Sequence, residues 1–198
     1  MLELKSISKK FNSQIFKDFS YRFDTKSIYF LSGDNGSGKS TLLKLIKGIY
    51  LCDFGEIYFD HDLSNENDVV YIDGNFRTFF HRLTVYQNLE YFFSINNIKG
   101  HLTIIEDLLE YFDLSKLKNQ KFSTLSQGQM QLVSCIRGLS SEPKVILLDE
   151  VFSSIDNTNK KKIFTFISEF INKENSLVIF TSHEKDYKEI SYKELCLT

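Results

Sequence analysis

The chain has 198 residues, of which 42% are apolar and 25% are charged, with nine glycines and one proline. This composition is typical of a folded protein of about one domain and excludes disordered or collagen-like chains. The formal net charge is −2, which argues against a protein that holds nucleic acid by neutralising its phosphates with an excess of basic residues. We therefore expect no nucleic-acid partner. No apolar run approaches the roughly 20 residues that cross a bilayer, so the sequence predicts a cytosolic or peripheral protein.

The first third of the chain predicts two kinds of strand. Polar and apolar residues alternate over residues 2–7 and 15–23, which indicates strands of an edge sheet. Residues 27–31 are instead almost continuously apolar, and they lead into a glycine-rich stretch followed by a helix with one leucine-rich face. Further strands are predicted at 55–60 and 68–73. The order strand, glycine loop, helix is typical of a phosphate-binding unit.

The middle of the chain has a different period. From about residue 84 to 141 the apolar residues repeat at helical spacing, which predicts a helical lobe. Strand patterns return at 144–148 and 176–180, separated by an amphipathic helix around 161–171. Strands alternating with helices indicate a parallel sheet, so we predict an α/β fold in which the helical lobe is inserted.

The glycine-rich stretch fits the pattern G-x-x-x-x-G-K-[ST]. Glycines are needed there because several backbone N–H groups must converge on phosphate oxygens without Cβ atoms in the way, and the next helix aims its N-terminus at the same anion. We expect Lys39 to reach the β- and γ-phosphates and Ser40 to coordinate Mg²⁺. The predicted nucleotide-binding residues are Gly33, Asp34, Asn35, Gly36, Ser37, Gly38, Lys39, Ser40 and Thr41.

The apolar strand at 145–148 is followed by two adjacent carboxylates, Asp149 and Glu150. Neighbouring residues at a strand end point in different directions, so Asp149 can hold the Mg²⁺ shell while Glu150 polarises the water that attacks the γ-phosphate. Alone, this pattern also fits a buried strand followed by acidic helix-capping residues. Together with the glycine loop it predicts a metal site at Ser40 and Asp149 and a catalytic base at Glu150.

Residues 125–129 read L-S-Q-G-Q, with Ser126 placed 23 residues before Asp149. Alone, this match is weak, because Ser126 is also a good helix N-cap. Placed between the two phosphate motifs, it makes essentially the whole chain resemble the nucleotide-binding domains of ATP-binding-cassette (ABC) transporters. The resemblance implies that Ser126, Gly128 and Gln129 open a helix that faces the γ-phosphate held by another subunit.

The resemblance also gives roles to two isolated residues. Phe11 stands 22 residues before Gly33, where the family has an aromatic residue that stacks on adenine; without the family, a lone Phe would be assigned to the core. His183 follows the last strong strand, where the family has a histidine that contacts the γ-phosphate, although a strand-end histidine is usually structural. The implied catalytic residues are Lys39, Glu150 and His183.

Two positions depart from the family pattern. Val151 replaces a proline that commonly follows the paired carboxylates, and Gly74 aligns with a glutamine whose amide touches the metal shell. Residues 76–93 resemble the path from this loop into the helical lobe in an exporter-type branch. Because the amide is missing, we expect weak ATPase activity from the isolated chain, recovered when a membrane partner orders the loop at 73–75.

In terms of fold, the resemblance implies a P-loop NTPase core with a parallel sheet, an N-terminal antiparallel β-subdomain and an inserted α-helical subdomain. It implies one domain over 1–198, with the core and β-subdomain in 1–75 and 142–198 and the helical subdomain at about 76–141.

In terms of function, the resemblance implies an ATP-hydrolysing subunit that powers a separate transmembrane permease. ATP and Mg²⁺ are the expected cofactors, and a second copy or a homologous ATPase is the expected dimer partner. The subunit is expected on the cytoplasmic face of the inner membrane, with membrane contact only through the permease. Two alternatives stay open: a soluble cassette ATPase of DNA repair, chromosome organisation or translation, and a cassette that binds ATP but regulates with negligible turnover.

Overall fold

The computed structural model describes residues 2–59, 68–174, 176–183, 187 and 190–198, with the backbone alone for 172–174. The strands are β1 Leu2–Lys10, β2 Gln14–Phe23, β3 Ser27–Ser32, β4 Phe54–Phe59, β5 Val69–Ile72, β6 Val145–Asp149, β7 Leu177–Thr181 and β8 Lys193–Cys196. The helices are α1 Lys39–Lys47, α2 Val85–Ile95, α3 His101–Tyr111, α4 Gln127–Leu139 and α5 Asn157–Glu174, with short 3₁₀ turns between some of them.

The alternating strands form an antiparallel sheet in the order β2-β1-β4. Their alternation buries one face, as Leu2, Leu4 and Ile7 of β1 show. The strand predicted at 55–60 begins at Phe54, and its last predicted residue, Asp60, lies outside the described residues.

The apolar strands form a parallel sheet in the order β5-β6-β7-β3-β8. Every residue of β6 and β7 is buried, because helices or sheet cover both faces. The carboxyl ends of all five strands meet at one edge. The chain places α1 directly after β3 and Glu150 directly after β6, so both phosphate motifs lie at that edge.

Two apolar cores flank the parallel sheet. Ile28 and Phe30 of β3 point into one core with residues of α2 to α5, while Tyr29 and Leu31 point into the other with α1 and the antiparallel sheet. The predicted α/β fold with a parallel sheet, an antiparallel sheet and a helical segment is therefore confirmed. β8 is not among the predicted strands, because its charged, mostly exposed sequence gives no strand pattern.

None of the helices in the described ranges combines the length and the apolar character that crossing a membrane would require.

Candidate nucleotide-binding site

The glycine loop leads directly into α1. Gly38 is the N-cap of this helix at φ 97°, and a Cβ there would lie 2.7 Å from Ile15 Cγ2, so both backbone conformation and space require glycine. Among the described residues, no side chain caps the helix. Its first N–H groups are therefore available to an anion outside the protein.

The Lys39 ammonium lies across the loop. Nζ donates to the carbonyl oxygens of Gly33, at 2.7 Å, and Asp34, at 2.9 Å, and the residue is only 9% exposed. Within the described ranges it makes no ion pair with a carboxylate. A largely buried cation whose partners are neutral carbonyls suits an anionic ligand.

Ser40 and Asp149 meet although 109 residues separate them in the chain. Ser40 Oγ donates to Asp149 Oδ1 at 2.9 Å. A hydroxyl and a carboxylate are hard oxygen donors of the kind that bind Mg²⁺. The structure thus brings together the two residues that the sequence assigns to the metal, next to the phosphate loop.

Two further hydroxyls, which sequence analysis missed, donate to the same carboxylate. Tyr71 Oη lies 2.6 Å from Asp149 Oδ2, and Thr181 Oγ1 lies 2.9 Å from Asp149 Oδ1. Burial, followed by the hydrogen bond to Asp149, raises the pKa of Tyr71, so the phenol stays protonated and donates. Tyr71 lies in the strand predicted at 68–73 and Thr181 directly follows the strand predicted at 176–180, and their place near the strand ends beside the acidic pair is the signal that could have identified them.

Glu150 and His183 face each other. His183 Nε2 lies 3.0 Å from Glu150 Oε1, and both side chains are substantially exposed. The Glu150 backbone is left-handed, at φ 55° and ψ 27°, a conformation that is strained for a residue with a side chain. Its N–H donates to Thr181 Oγ1 at 3.0 Å, which helps to hold this turn. The predicted base and the predicted γ-phosphate contact therefore lie in reach of one another.

The L-S-Q-G-Q stretch opens α4 as expected. Ser126 is the N-cap, and its hydroxyl and the Gln129 side chain form a reciprocal capping box. A Cβ on Gly128 would lie 2.4 Å from the Ser154 carbonyl oxygen, so the close approach of this segment requires glycine.

Within one chain, the two motifs line separate cavities. The phosphate loop lines a cavity of about 590 Å³ that includes Gly33, Lys39 and His183. Ser126, Gly128 and Gln129 line another, of about 420 Å³, with residues 154–156. The residues 126–129 therefore do not complete the phosphate site of their own chain.

Phe11 is on the surface. Its ring is 48% exposed, meets Tyr50 edge-on at 5.3 Å between centroids, and has the Lys9 ammonium 5.3 Å from its centroid. Assignment of Phe11 to the core is therefore wrong, whereas its role in adenine stacking stays a prediction.

The loop at 73–75 is held mainly by its own polar atoms. Asp73 Oδ1 accepts from the Asn75 N–H at 3.0 Å, and Asn75 Oδ1 accepts from the Arg77 N–H at 3.1 Å. The buried Gln131 side chain of α4 donates to the Asp73 carbonyl at 3.3 Å. Gly74 does not have a positive φ, and a Cβ there would meet no atom of the described residues within 4 Å, so this position accepts other residues.

The aromatic residues after this loop divide between core and surface. Phe79 is buried and stacks on Phe122 at 4.3 Å, and Phe76 is half-buried against the same core. Phe80 is 44% exposed and packs edge-on against the exposed Tyr91 of α2. An aromatic surface therefore lies close to the loop in sequence; Phe80 and Tyr91 are called the aromatic face below.

Comparison with known proteins places the chain in a family. Residues 16–153 match the family described as ABC transporter. The chain belongs to the ABC transporter ATP-binding subunits. It is 32% identical over 93% of its length to the sulfate/thiosulfate import ATP-binding protein of Synechococcus elongatus, and covers 56% of that protein.

Two other similar proteins are closer in length. The probable iron export ATP-binding protein of Escherichia coli is 30% identical over 94% of the chain, which covers 85% of that relative. The solved structure of a putative ABC transporter ATP-binding protein from Pyrococcus furiosus has a TM-score of 0.81 at 23% identity, covering 99% of this chain and 96% of that one. An importer and an exporter subunit thus match this chain almost equally well, and the exporter-type resemblance stays a prediction.

Proposed function

We propose that the chain hydrolyses ATP and uses the reaction to drive a separate transmembrane permease. The observation that carries this proposal is the cluster of Lys39, Ser40, Asp149 and Glu150 at one edge of the parallel sheet, joined by the 2.9 Å contact between Ser40 and Asp149. The relatives are subunits of transport systems, which favours transport over a soluble cassette ATPase of DNA repair, chromosome organisation or translation; ATP turnover with the permease present separates it from a regulator.

The chain's own groups suit a nucleotide triphosphate. The uncapped N-terminus of α1 and the Lys39 ammonium supply donors and positive charge for the β- and γ-phosphates. Ser40 and Asp149 would hold Mg²⁺, which neutralises charge on the phosphates as it does in other P-loop enzymes. Phe11, exposed beside Tyr50, would stack on the base.

Glu150 is the proposed general base. Its carboxylate would accept a hydrogen bond from the attacking water and draw a proton from it as the γ-phosphate bond breaks. His183, 3.0 Å from the same carboxylate, would orient Glu150 and contact the γ-phosphate. The positions of these groups are set by the ends of β6 and β7, two adjacent strands.

Complete catalytic sites would form between two copies of the chain. Ser126 and Gly128 line a cavity separate from that of Lys39 in their own chain, which supports their supply by a second copy across a two-fold axis. Each copy would then present the start of α4 to the γ-phosphate of the other. ATP binds between the copies, so it favours the closed pair by its differential affinity.

The aromatic face is the proposed docking point for the permease. Phe80 and Tyr91 are exposed aromatic side chains of the kind enriched at protein interfaces, and they follow the loop at 73–75 in the chain. A permease bound there would act on this loop and place the subunit at the cytoplasmic face of the membrane. We propose that residues 1–198 form one domain, with the core and β-subdomain in 1–75 and 142–198 and the helical subdomain at about 76–141, and that this domain docks as a unit.

Two measurements test this function. The purified chain should bind ATP and release phosphate from it in the presence of Mg²⁺. A chain without measurable ATP binding would contradict the proposal. A photo-crosslinking residue at Phe80 should attach to a polytopic membrane protein in native membranes, whereas the same residue at Tyr58, an exposed aromatic of β4, should not. Crosslinks of equal yield at both positions would contradict docking of the permease at the aromatic face.

A further inference from the structure

The Asp149 carboxylate accepts hydrogen bonds from three hydroxyls on three different elements. Ser40 lies in α1, Tyr71 in β5 and Thr181 in β7, and all three oxygens lie within 2.9 Å of a carboxylate oxygen. Ser40 is the one that the proposed function directs to the metal. The other two have no role in the nucleotide site as described so far.

The sheet order explains how these two hydroxyls reach Asp149. β6 lies between β5 and β7, with Thr181 directly beside Asp149 and Tyr71 beside Leu147, two residues earlier. Residues two apart in a strand point to the same face, so all these side chains face α1. Tyr71 is long enough to reach forward to Oδ2, while Thr181 bonds Oδ1 from the opposite side.

Thr181 also connects the two acidic residues. Its Oγ1 donates to Asp149 Oδ1 and accepts from the N–H of Glu150, whose backbone is left-handed. The residue is fully buried, so these are bonds without competition from water. One hydroxyl thus fixes both the carboxylate of Asp149 and the turn that presents Glu150.

We propose that Tyr71 and Thr181 are positioning residues for Mg²⁺, which orient the Asp149 carboxylate from both sides when Ser40 turns to the metal. This inference rests on the proposed function, because it acts through the metal role of Asp149. Residues that hydrogen-bond a metal ligand typically change metal affinity or activity by about 10- to 100-fold when removed. The phenol of Tyr71 acts on the carboxylate alone, while Thr181 acts on the carboxylate and on Glu150.

The chain offers a matched control for the loss of the Tyr71 hydroxyl. Tyr29 is also a tyrosine of the parallel sheet, 1% exposed, whose hydroxyl donates to the carboxylate of Asp24 at 3.2 Å. Tyr29→Phe therefore removes a phenol–carboxylate bond of the same type outside the nucleotide site. Tyr71→Phe and Tyr29→Phe should both fold, since each removes a single oxygen atom.

The experiment measures the affinity of each variant for a non-hydrolysable ATP analogue at a series of free Mg²⁺ concentrations, together with the unfolding temperature in EDTA. Tyr71→Phe should need about tenfold more Mg²⁺ than wild type for half of the metal-dependent gain in affinity. Tyr29→Phe should show the wild-type dependence. In EDTA, the two variants should bind the analogue as wild type does, which a merely structural defect at Tyr71 would not allow.

A second pair of variants separates the two positioning residues. Thr181→Val, which removes the hydroxyl at nearly constant volume, should raise the Mg²⁺ requirement and lower kcat further through Glu150. Thr181→Ser keeps the hydroxyl and should restore both. In an Asp149→Asn background, Tyr71→Phe should add no further loss, because its effect passes through that carboxylate.

The outcomes distinguish the inference from the function on which it rests. A wild-type chain whose affinity for the analogue does not depend on Mg²⁺ would overturn the proposed metal site, and the positioning role with it. A metal-dependent wild type combined with an unchanged Mg²⁺ requirement in Tyr71→Phe and Thr181→Val would overturn the positioning role alone. A Tyr71→Phe loss that is equal in EDTA and in Mg²⁺ would reduce Tyr71 to a structural residue.

Discussion

The environment of Asp149 and the loop at 73–75 are both polar and both lie at the carboxyl ends of strands of one parallel sheet, yet they are held in opposite ways. Asp149 is bonded by hydroxyls from residues 32 or more positions away in the chain. The loop is held chiefly by side chains that bond the backbone two residues ahead, with the contact from Gln131 as its link to α4.

This difference is the basis for our proposal that Asp149 is a fixed chemical site and that the loop is the segment a partner rearranges. Moving Asp149 breaks hydrogen bonds to three elements of the fold, whereas moving the loop breaks local hydrogen bonds within it that can form again in the new position. The exposed aromatic face follows the loop and not the carboxylate. Substitutions at the first region should therefore weaken metal binding or ATP turnover in the isolated chain itself, and substitutions at the second should change the response to the permease.

The largest effect is expected for Glu150→Gln. The amide cannot take a proton from the attacking water, so we expect ATP turnover to fall by about 10²- to 10⁴-fold. ATP binding should be retained, and the closed dimer should accumulate because hydrolysis no longer opens it. Phosphate release measures the turnover, and gel filtration with ATP measures the closed dimer, which forms only if ATP binding is retained. Glu110→Gln, an exposed change on α3, is the control, and wild-type turnover in Glu150→Gln would remove this residue as the base.

Lys39→Ala should act on binding itself. Hydrogen bonds to charged groups contribute about 1.5 to 3 kcal/mol, so the affinity for ATP should fall by about 10- to 100-fold. Calorimetric titration with ATP measures the change, with Lys161→Ala on the exposed side of α5 as the matched loss of a lysine. If Lys39→Ala bound ATP as tightly as the control, the ammonium would not contact the phosphates.

Much of the first region could be predicted because its motifs are short and contiguous. The residues from Gly33 to Ser40 and the pair at 149–150 each specify a local conformation that brings backbone or carboxylate groups to one point. Tyr71 and Thr181 could not be assigned in this way, since their contacts depend on the strand order β5-β6-β7, and the helical segment separates β5 from β6 in the chain.

The second region shows the opposite limit of sequence analysis. The resemblance predicts a loop with an unusual Gly74, but the backbone there is ordinary and leaves room for a side chain. Of the three aromatic residues that follow, Phe79 is buried by tertiary contacts, chiefly its stacking on Phe122, whereas Phe80 is exposed. Periodicity alone does not separate them, because they precede the first turn of α2.

Phe80→Ala should leave the ATP turnover of the isolated chain unchanged but weaken its binding to the permease. A single aromatic anchor at an interface contributes about 2 kcal/mol or more, so binding to the permease should fall by at least about tenfold. Co-purification yield and permease-stimulated ATP turnover measure the loss. Phe54→Ala, a more exposed phenylalanine on β4, is the control, and equal losses in the two variants would contradict a specific docking face.

Gly74→Gln should have the smallest effect. Since a Cβ at this position meets no atom within 4 Å in the part of the chain that the structure describes, we expect the free energy of unfolding to change by no more than about 0.5 kcal/mol. The added amide should raise the turnover of the isolated chain by about two- to tenfold, as one hydrogen bond can. Gly74→Ala supplies the side-chain control without the amide, and equal turnover in both variants would show that the missing amide does not limit activity.

The most direct test of the central claim, that each catalytic site is shared between two copies, is complementation in mixed dimers. Lys39→Ala weakens the phosphate loop, and Ser126→Arg places a bulky cation at the start of α4, so each variant alone should hydrolyse ATP much more slowly than wild type, although Ser126→Arg should still bind it. In a mixed dimer, the intact loop of one copy faces the intact α4 of the other, so the mixture should regain turnover well above either variant. A mixture as inactive as its components, or full turnover from a strictly monomeric wild-type chain, would contradict the shared site.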